Sequence, residues 1–365
     1  MSTILSNRVQ KVKPSATMAV SDKAKELKSQ GIQIISMGSG EPDFDTPINI
    51  QKAAIQAIGS GETRYTPADG TVELKKAICE KFKRENGLDY SLNEVMVSCG
   101  GKQVFYNLCQ AILNEGDEVI IPTPYWVSYP DMAILADATP VFIEAGLEQD
   151  FKITPEQLED SITDKSKLFV LNSPSNPTGS VYSESEIKAL GEVLKRHPNV
   201  LTISDDIYEH IRWGDDDFVN IAMACPELKE RIVILNGVSK AYAMTGWRIG
   251  YAAGPETVIK AMKKIQGQST SNPSSISQAA ALEAITGDQS FINMMVEAFE
   301  SRHEFLVDSL NAIDGIECPR SGGAFYSFPK VQGLIERIGL KDDVEFSTYC
   351  LEKLSLAVVP GSAFG

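Results

Sequence analysis

Histidine is nearly absent from this chain: three residues in 365, none at a zinc-like spacing from a cysteine. The six cysteines (Cys79, Cys99, Cys109, Cys225, Cys318, Cys350) form no C-x-x-C pair, so they read as reduced, mostly buried thiols. No metal site is expected. Positive charge is also short, with 34 Lys and Arg against 49 Asp and Glu, a net charge of −15 and a pI near 4.8. Such a surface repels phosphate backbones and anionic lipid, which argues against nucleic-acid and membrane partners. An anionic small substrate remains compatible, because a local cluster of Lys and Arg can invert the potential inside one cleft. No apolar run approaches membrane-spanning length, and Met1 to Lys13 carries basic residues without an apolar core, so a cytoplasmic location is expected. Internal repeats, low-complexity tracts and obvious flexible linkers are missing too.

What is present is an ordinary globular composition, 43% hydrophobic and 23% charged, in a chain long enough for about two domains. Strand-like segments recur at Val95-Ser98, Val119-Pro122, Val141-Glu144, Leu168-Asn172, Val200-Ser204, Ile232-Asn236 and Ile249-Ala253. Helical patterns intervene, as at Lys102-Leu113 and at Glu184-Arg196, the latter opened by a Ser183/Glu186 capping box. The alternation predicts an α/β fold, a mainly parallel seven-stranded sheet sandwiched by helices. The gap between Ile232-Asn236 and Ile249-Ala253 is too short for a helical crossover, so one strand is expected to run antiparallel. Two long helical stretches (Phe291 to Ile313, Ile335 to Leu354) and two extended pieces (Gly323-Phe328, Ala357-Val359) follow. The expected division is an N-terminal arm and part of a small α+β domain at 1–48, a large domain at 49–290, and the remainder of the small domain at 291–365.

In such a sheet ligands collect at the carboxyl ends of strands. Ser98, Asn172, Ser204 and Asn236 all end strands, and each precedes a polar or glycine-rich turn. Lys240 follows the last of these in Asn236-Gly237-Val238-Ser239-Lys240. A lysine at the mouth of a buried strand is costly unless its charge is neutralised or its amine is used, and a Schiff base with an aldehyde does both. Taken alone it would far more often be an ordinary surface lysine on a strand-to-helix turn. Arg248, eight positions on, offers a planar fork for a phosphate. An amine for an aldehyde and a guanidinium for a phosphate together describe pyridoxal 5'-phosphate.

The string from Ser239-Lys240 through Gly246-Trp247-Arg248 to Tyr251 resembles the lysine motif of the class I (fold type I) pyridoxal-phosphate-dependent aminotransferases, and within them the bacterial aspartate aminotransferase subgroup. The resemblance runs from Lys13 to the last residue. It implies that Lys240 carries the cofactor as a Schiff base and moves the α-proton. It also implies that Gly101 and Lys102 meet the cofactor phosphate beside Arg248, and that Gly100 and Ser239 bind the cofactor. On the residues alone, Ser98-Cys99-Gly100-Gly101 at a strand-to-helix junction offers free N–H groups and a positive helix end, although such junctions are also plain turn chemistry.

The aromatic turn Pro122-Thr123-Pro124-Tyr125-Trp126 would otherwise read as packing; by resemblance Trp126 supplies a flat face for the pyridine ring. Asn176, in Asn176-Pro177-Thr178-Gly179, matches the donor to the cofactor's phenolic oxygen, and a cis bond at Pro174 or Pro177 is compatible with that loop. A buried carboxylate at the end of Val200-Ser204 needs a cationic partner or must be neutral. Resemblance makes Asp205 the partner of the pyridine nitrogen, although the neighbouring Asp206 could trade roles with it. Tyr208 completes the contacts to the phenolic oxygen.

Gly38-Ser39-Gly40 lacks the third glycine of a dinucleotide loop and instead matches the G-E-P-D-F-x-T-P signature of the subgroup, which puts Gly40 near the substrate carboxylate. Trp126 and Asn176 are expected at the substrate as well. Ser15, Thr17 and Lys102 match elements that recognise a distal carboxylate. Tyr65 matches a tyrosine that reaches the neighbouring subunit's phosphate, which implies a homodimer with shared active sites. Relatives carry an Arg in an R-x-S context shortly beyond the segment Val358 to Gly365. Its absence here is expected to reflect a trimmed sequence rather than a pyridoxal-phosphate binder of weak turnover.

The expected activity is transfer of the amino group of aspartate, or a related amino acid, to 2-oxoglutarate in two half-reactions, the first leaving pyridoxamine phosphate and the second consuming it. Alternatives are an aromatic or prephenate aminotransferase and a pyridoxal-phosphate-dependent β-lyase. From another class comes a serine hydrolase, because Gly237-Val238-Ser239-Lys240-Ala241 nearly matches G-x-S-x-G; its base would have to be His303.

Overall fold

The computed structural model describes residues 4–12, 16–214 and 216–365, leaving aside the side chains at 16–19 and 21. Seven strands form one sheet: β2 (Val95–Ser98), β3 (Glu118–Thr123), β4 (Thr139–Glu144), β5 (Ser166–Asn172), β6 (Leu201–Asp205), β7 (Ile232–Gly237) and β8 (Gly250–Ala253), in the order β2-β8-β7-β6-β5-β3-β4. Strands β3 to β7 pair in parallel, and β8 runs antiparallel to both its neighbours. The parallel sheet, the seven strands and the single reversed strand are all as the sequence pattern predicts.

The central strands are apolar on both faces because both faces are covered. In β7, Ile232 and Ile234 pack into one core cluster, while Val233 and Leu235 pack into the other. Strand β5 divides the same way, with Phe169 and Leu171 on one side and Leu168 and Val170 on the other. Each such side chain contributes about 1.5–3 kcal/mol on burial, and the unbroken Val/Ile/Leu runs of β5 to β7 are the signature of a sheet with no wet face.

Helix Gly101–Ile112 packs on one face with Glu256–Gly267. Helices Val72–Asn86, Glu184–Arg196 and Ser275–Thr286 cover the other. The predicted cap at Glu184–Arg196 is present: Ser183 Oγ accepts from Glu186 N–H, and Glu186 Oε2 accepts from Ser183 N–H at 2.7 Å. Among the described residues no helix is long and apolar enough to cross a membrane.

The two chain ends meet, since β1 (Ile35–Ser36) pairs in parallel with β9 (Leu356–Ala357). Two expectations there are corrected. The stretch from Ile335 to Leu354 is two helices, Gln332–Ile338 and Asp343–Leu354. Gly339 at φ 72 ends the first, and the Asp342 side chain accepts from Glu345 N–H to start the second. The expected extended piece Gly323-Phe328 is interrupted near its start. It makes one isolated bridge, Gly323 to Arg212, after which Ala324 at φ 58 turns the chain out of any ladder.

Candidate active site

Because β8 is reversed, its first residues lie at the same sheet edge as the last residues of β2 and β7: Gly250 is in register with both Ser98 and Gly237. That places Arg248, just before β8, beside the turns that leave β2 and β7. Crowding there explains the glycines. A Cβ on Gly250 would lie 2.4 Å from Gly101 N, and one on Gly100 (φ 85) would lie 2.4 Å from Arg248 Nη2. Helix Gly101–Ile112 therefore starts against the arginine fork, and the first N–H groups of a helix have no partner within it. Arg248 Nη1 donates to Thr245 O at 2.7 Å, which fixes the fork's orientation.

A cavity of about 1310 Å³ opens along this edge and is lined by Gly40, Gly101, Lys102, Trp126, Asn176, Asp205, Tyr208, Ser239, Lys240 and Arg248. Ten of the expected site residues are thus brought together from turns after five different strands and from the loop near residue 40. Away from them the cavity continues between apolar side chains such as Leu306, Leu310, Leu334 and Phe346.

Lys240 Nζ donates to Gly40 O at 2.5 Å and lies 5.9 Å from the Tyr208 ring centre and 5.7 Å from that of Phe325. Burial lowers its amine to about 8, Arg248 adding to the fall while Glu41 and Asp205 oppose it. Asp205 is buried; its carboxylate accepts from the Tyr129 hydroxyl at 2.5 Å and from Ile207 N–H at 3.3 Å. Burial nevertheless raises it to about 6.

Asp206 points the other way. Ser204 Oγ and Asn220 Nδ2 each donate to it at 2.7 Å, it does not line the cavity, and burial holds it well above the usual carboxylate range. Of the two aspartates, Asp205 is thus the one that faces the cavity. The Lys102 ammonium sits 5.2 Å from the Trp126 ring centre, and burial together with the Arg248 charge lowers its pKa.

The loop from Gly38 to Pro47 is locked onto the lysine segment. Thr46 Oγ1 donates to Ala243 O at 2.6 Å and accepts from Trp247 Nε1 at 3.0 Å, and Thr245 donates to Glu41. The peptide bonds before Pro124, Pro174 and Pro177 are cis.

Some expected residues are not gathered here. Tyr65 is 91% exposed and outside the cavity lining. Ser15 lies outside the described residues, as does the side chain of Thr17. His303 does not serve Ser239: its Nε2 accepts from Ser321 N–H at 3.0 Å, its ring lies 5.2 Å from that of Trp213, and it does not line the cavity, so the hydrolase alternative loses its base.

Two residues in the site carried no role in the sequence reading. Tyr129, three positions after Trp126, holds Asp205. Tyr326 places its hydroxyl 2.5 Å from that of Tyr208 and accepts from Asn176 Nδ2 at 3.4 Å. The spacing of Tyr129 from Trp126 was a usable signal; Tyr326 had none, because its partners lie 118 and 150 residues away.

A mainly parallel sheet covered on both faces thus gathers a depressed lysine, an arginine fork and a buried aspartate at its carboxyl edge, where enzymes of this architecture bind their ligands. Residues 32–365 match the family described as aminotransferase class I and II, so the chain belongs to it and is an aminotransferase. It is 56% identical to the aspartate/prephenate aminotransferase of Nitrosomonas europaea and 55% identical to that of Cereibacter sphaeroides, in each case over 99% of this chain and 92% of the relative. Among solved structures it resembles aspartate aminotransferase from Rhizobium meliloti (TM-score 0.94, 47% identity, 100% of this chain and 92% of that one). It also resembles the Thermus thermophilus aspartate aminotransferase with maleate (TM-score 0.93, 43% identity, 99% and 92%).

Proposed function

We propose that this aminotransferase uses pyridoxal 5'-phosphate held at the sheet edge and moves the amino group of aspartate to 2-oxoglutarate in two half-reactions. The observation that carries the reading is Lys240, a cleft-lining amine lowered to about 8 between an arginine fork and a buried aspartate. When bound, the cofactor supplies an aldehyde for that amine and a pyridine ring that takes up the electron pair released at the substrate α-carbon.

The donor set fits the group. Arg248, the N–H groups of Gly101 and Lys102 and the Ser239 hydroxyl would hold the phosphate, with Gly100 leaving space for the guanidinium. Trp126 would flank the ring. Asn176 and Tyr208 would donate to the phenolic oxygen. Asp205, fixed by Tyr129, would accept from the pyridine nitrogen, and that cation would return the carboxyl to its ionised form.

An amine titrating near 8 is neutral in roughly one molecule in ten at pH 7, against fewer than one in a thousand for an ordinary lysine. Lys240 Nζ can therefore attack an aldehyde and, when free, take the substrate's α-proton. Gly40 would lie close to the substrate carboxylate and Asn176 would meet the substrate, while Lys102, Ser15 and Thr17 would take part in recognising a distal carboxylate. Within this reading residues 49–290 form the cofactor-binding domain, and 1–48 with 291–365 form the smaller one. Two copies pair so that Tyr65 of each reaches the other's site, and the protein works in the cytoplasm.

Prephenate as a second amino acceptor is favoured by the names of the relatives above and by its chemistry, since it too is a dicarboxylic 2-oxo acid. Initial rates with glutamate or aspartate as donor and 2-oxoglutarate, prephenate or phenylpyruvate as acceptor test the assignment. Turnover confined to the monocarboxylic acceptor would contradict it. Release of pyruvate and ammonia from cysteine-type substrates without amino exchange would replace it with a β-lyase.

A further inference from the structure

Among the described residues, Tyr326 is the one aromatic hydroxyl lining the cleft that none of the roles above employs. Its oxygen is enclosed on three sides. Tyr208 Oη is 2.5 Å away, Asn176 Nδ2 donates to it at 3.4 Å, and a Cβ on Gly40 would lie 2.7 Å from it, so the Gly40 backbone packs directly on the hydroxyl. Among the described residues Tyr326 is also the hydrogen-bond partner of the Tyr208 hydroxyl. A phenol has one hydrogen and can accept two bonds. With Asn176 donating to the Tyr326 oxygen, the Tyr326 hydrogen is available to Tyr208, which leaves the Tyr208 hydrogen directed elsewhere in the cleft.

We propose that Tyr326 is a positioning residue whose hydroxyl donates to the Tyr208 oxygen and so aims the Tyr208 O–H at the cofactor's phenolic oxygen. The chain of donation runs from Asn176 to Tyr326 to Tyr208. In a site of low dielectric each donor in such a chain strengthens the next, so Tyr208 becomes a better donor than an isolated phenol. The stronger its donation, the more the anionic phenolic oxygen is stabilised, and the lower the pH at which the lysine-bound cofactor changes its protonation. Tyr326 touches Tyr208 and Asn176, not the reacting atoms. This inference rests on the pyridoxal-phosphate reading, and on Tyr208 facing the phenolic oxygen.

The test is a pH titration of the visible absorbance of the cofactor-loaded protein for wild type, Tyr208→Phe, Tyr326→Phe and the double variant. Melting of the cofactor-free forms serves as a control for folding, since each change keeps the ring. The expected results are an upward shift of the midpoint in Tyr208→Phe, an upward shift of roughly half a pH unit or more in Tyr326→Phe, and a double variant that matches Tyr208→Phe alone. Gly40→Ala, which displaces the Tyr326 hydroxyl while keeping both tyrosines, should shift the midpoint in the same direction and stands in if Tyr326→Phe melts early.

A Tyr326→Phe midpoint equal to wild type, beside a shifted Tyr208→Phe, overturns the proposal and leaves the cofactor reading intact. Additive shifts in the double variant overturn it as well, because Tyr326 would then act on the cofactor directly. An unshifted Tyr208→Phe removes the role given to Tyr208, and the proposal falls with it.

Discussion

Lys240 and Asp205 are pushed toward each other on the pH scale, the amine down to about 8 and the carboxyl up to about 6, and burial is the first cause in both. The rate of modification of Lys240 by an amine-directed reagent in the cofactor-free protein should therefore have its midpoint near 8. Glu41→Gln should lower that midpoint and Arg248→Met should raise it, because the first removes a stabilising negative charge and the second a repelling positive one. Lys240→Ala should lower kcat by at least about 10³-fold, since covalent anchor and proton carrier are lost together.

Asp205 also makes a stability prediction. Its folded value lies above the ordinary 3.8, so its contribution to the cofactor-free protein is fully present below 3.8 and is lost as pH rises through about 6. Relative to wild type, Asp205→Asn should thus gain stability across that window, by up to about 3 kcal/mol, in urea melts at successive pH values. Asp206 is raised by burial as well, so Asp206→Ala should cost about 1–3 kcal/mol in acid, where it strands the donors on Ser204 and Asn220, with the cost shrinking as pH rises above 3.8, and should leave cofactor absorbance unchanged. That both aspartates are buried was not legible from the pair alone; the alternation of β6 decides which of them faces the cleft.

At the scale of elements, the site depends on how closely the turn after β2 approaches the start of β8. Gly250→Ala should push the start of helix Gly101–Ile112 off the Arg248 fork and weaken pyridoxal-phosphate binding by tenfold or more, read by tryptophan quenching in the cofactor-free protein. A binding constant equal to wild type would separate that helix end from the phosphate.

The strands were legible because each central one is a continuous apolar run bounded by turn residues, and the reversed strand because its connection is too short. The break between Gln332–Ile338 and Asp343–Leu354 was legible in principle, since Gly339 and Asp342 are ordinary stop and start signals that the continuing apolar periodicity masked. The locking of Thr46 to Ala243 and Trp247 was not, because nothing local links positions about 200 residues apart.

For the whole molecule, a charge of −15 is compatible with three cations gathered at one place: Lys102, Lys240 and Arg248 share one cavity, where Glu41 and Asp205 accompany them. The proposed dimer makes a prediction that no single subunit can satisfy. Lys240→Ala and Tyr65→Ala proteins, each weak alone, should recover roughly a quarter of wild-type activity when unfolded and refolded together, because hybrid dimers contain one intact site. Recovery to no more than the mean of the two parents would contradict shared sites.

The central claim, a lysine-held cofactor that exchanges amino groups with aspartate, is tested most directly by the absorption spectrum of the pyridoxal-phosphate-loaded chain. Adding L-aspartate should abolish the visible band and release one oxaloacetate per site, and adding 2-oxoglutarate should restore the band. A band that forms in wild type, is lost in Lys240→Ala, yet stays unchanged by aspartate would contradict the assigned donor. Equal bands in both proteins would contradict Lys240 as the anchor.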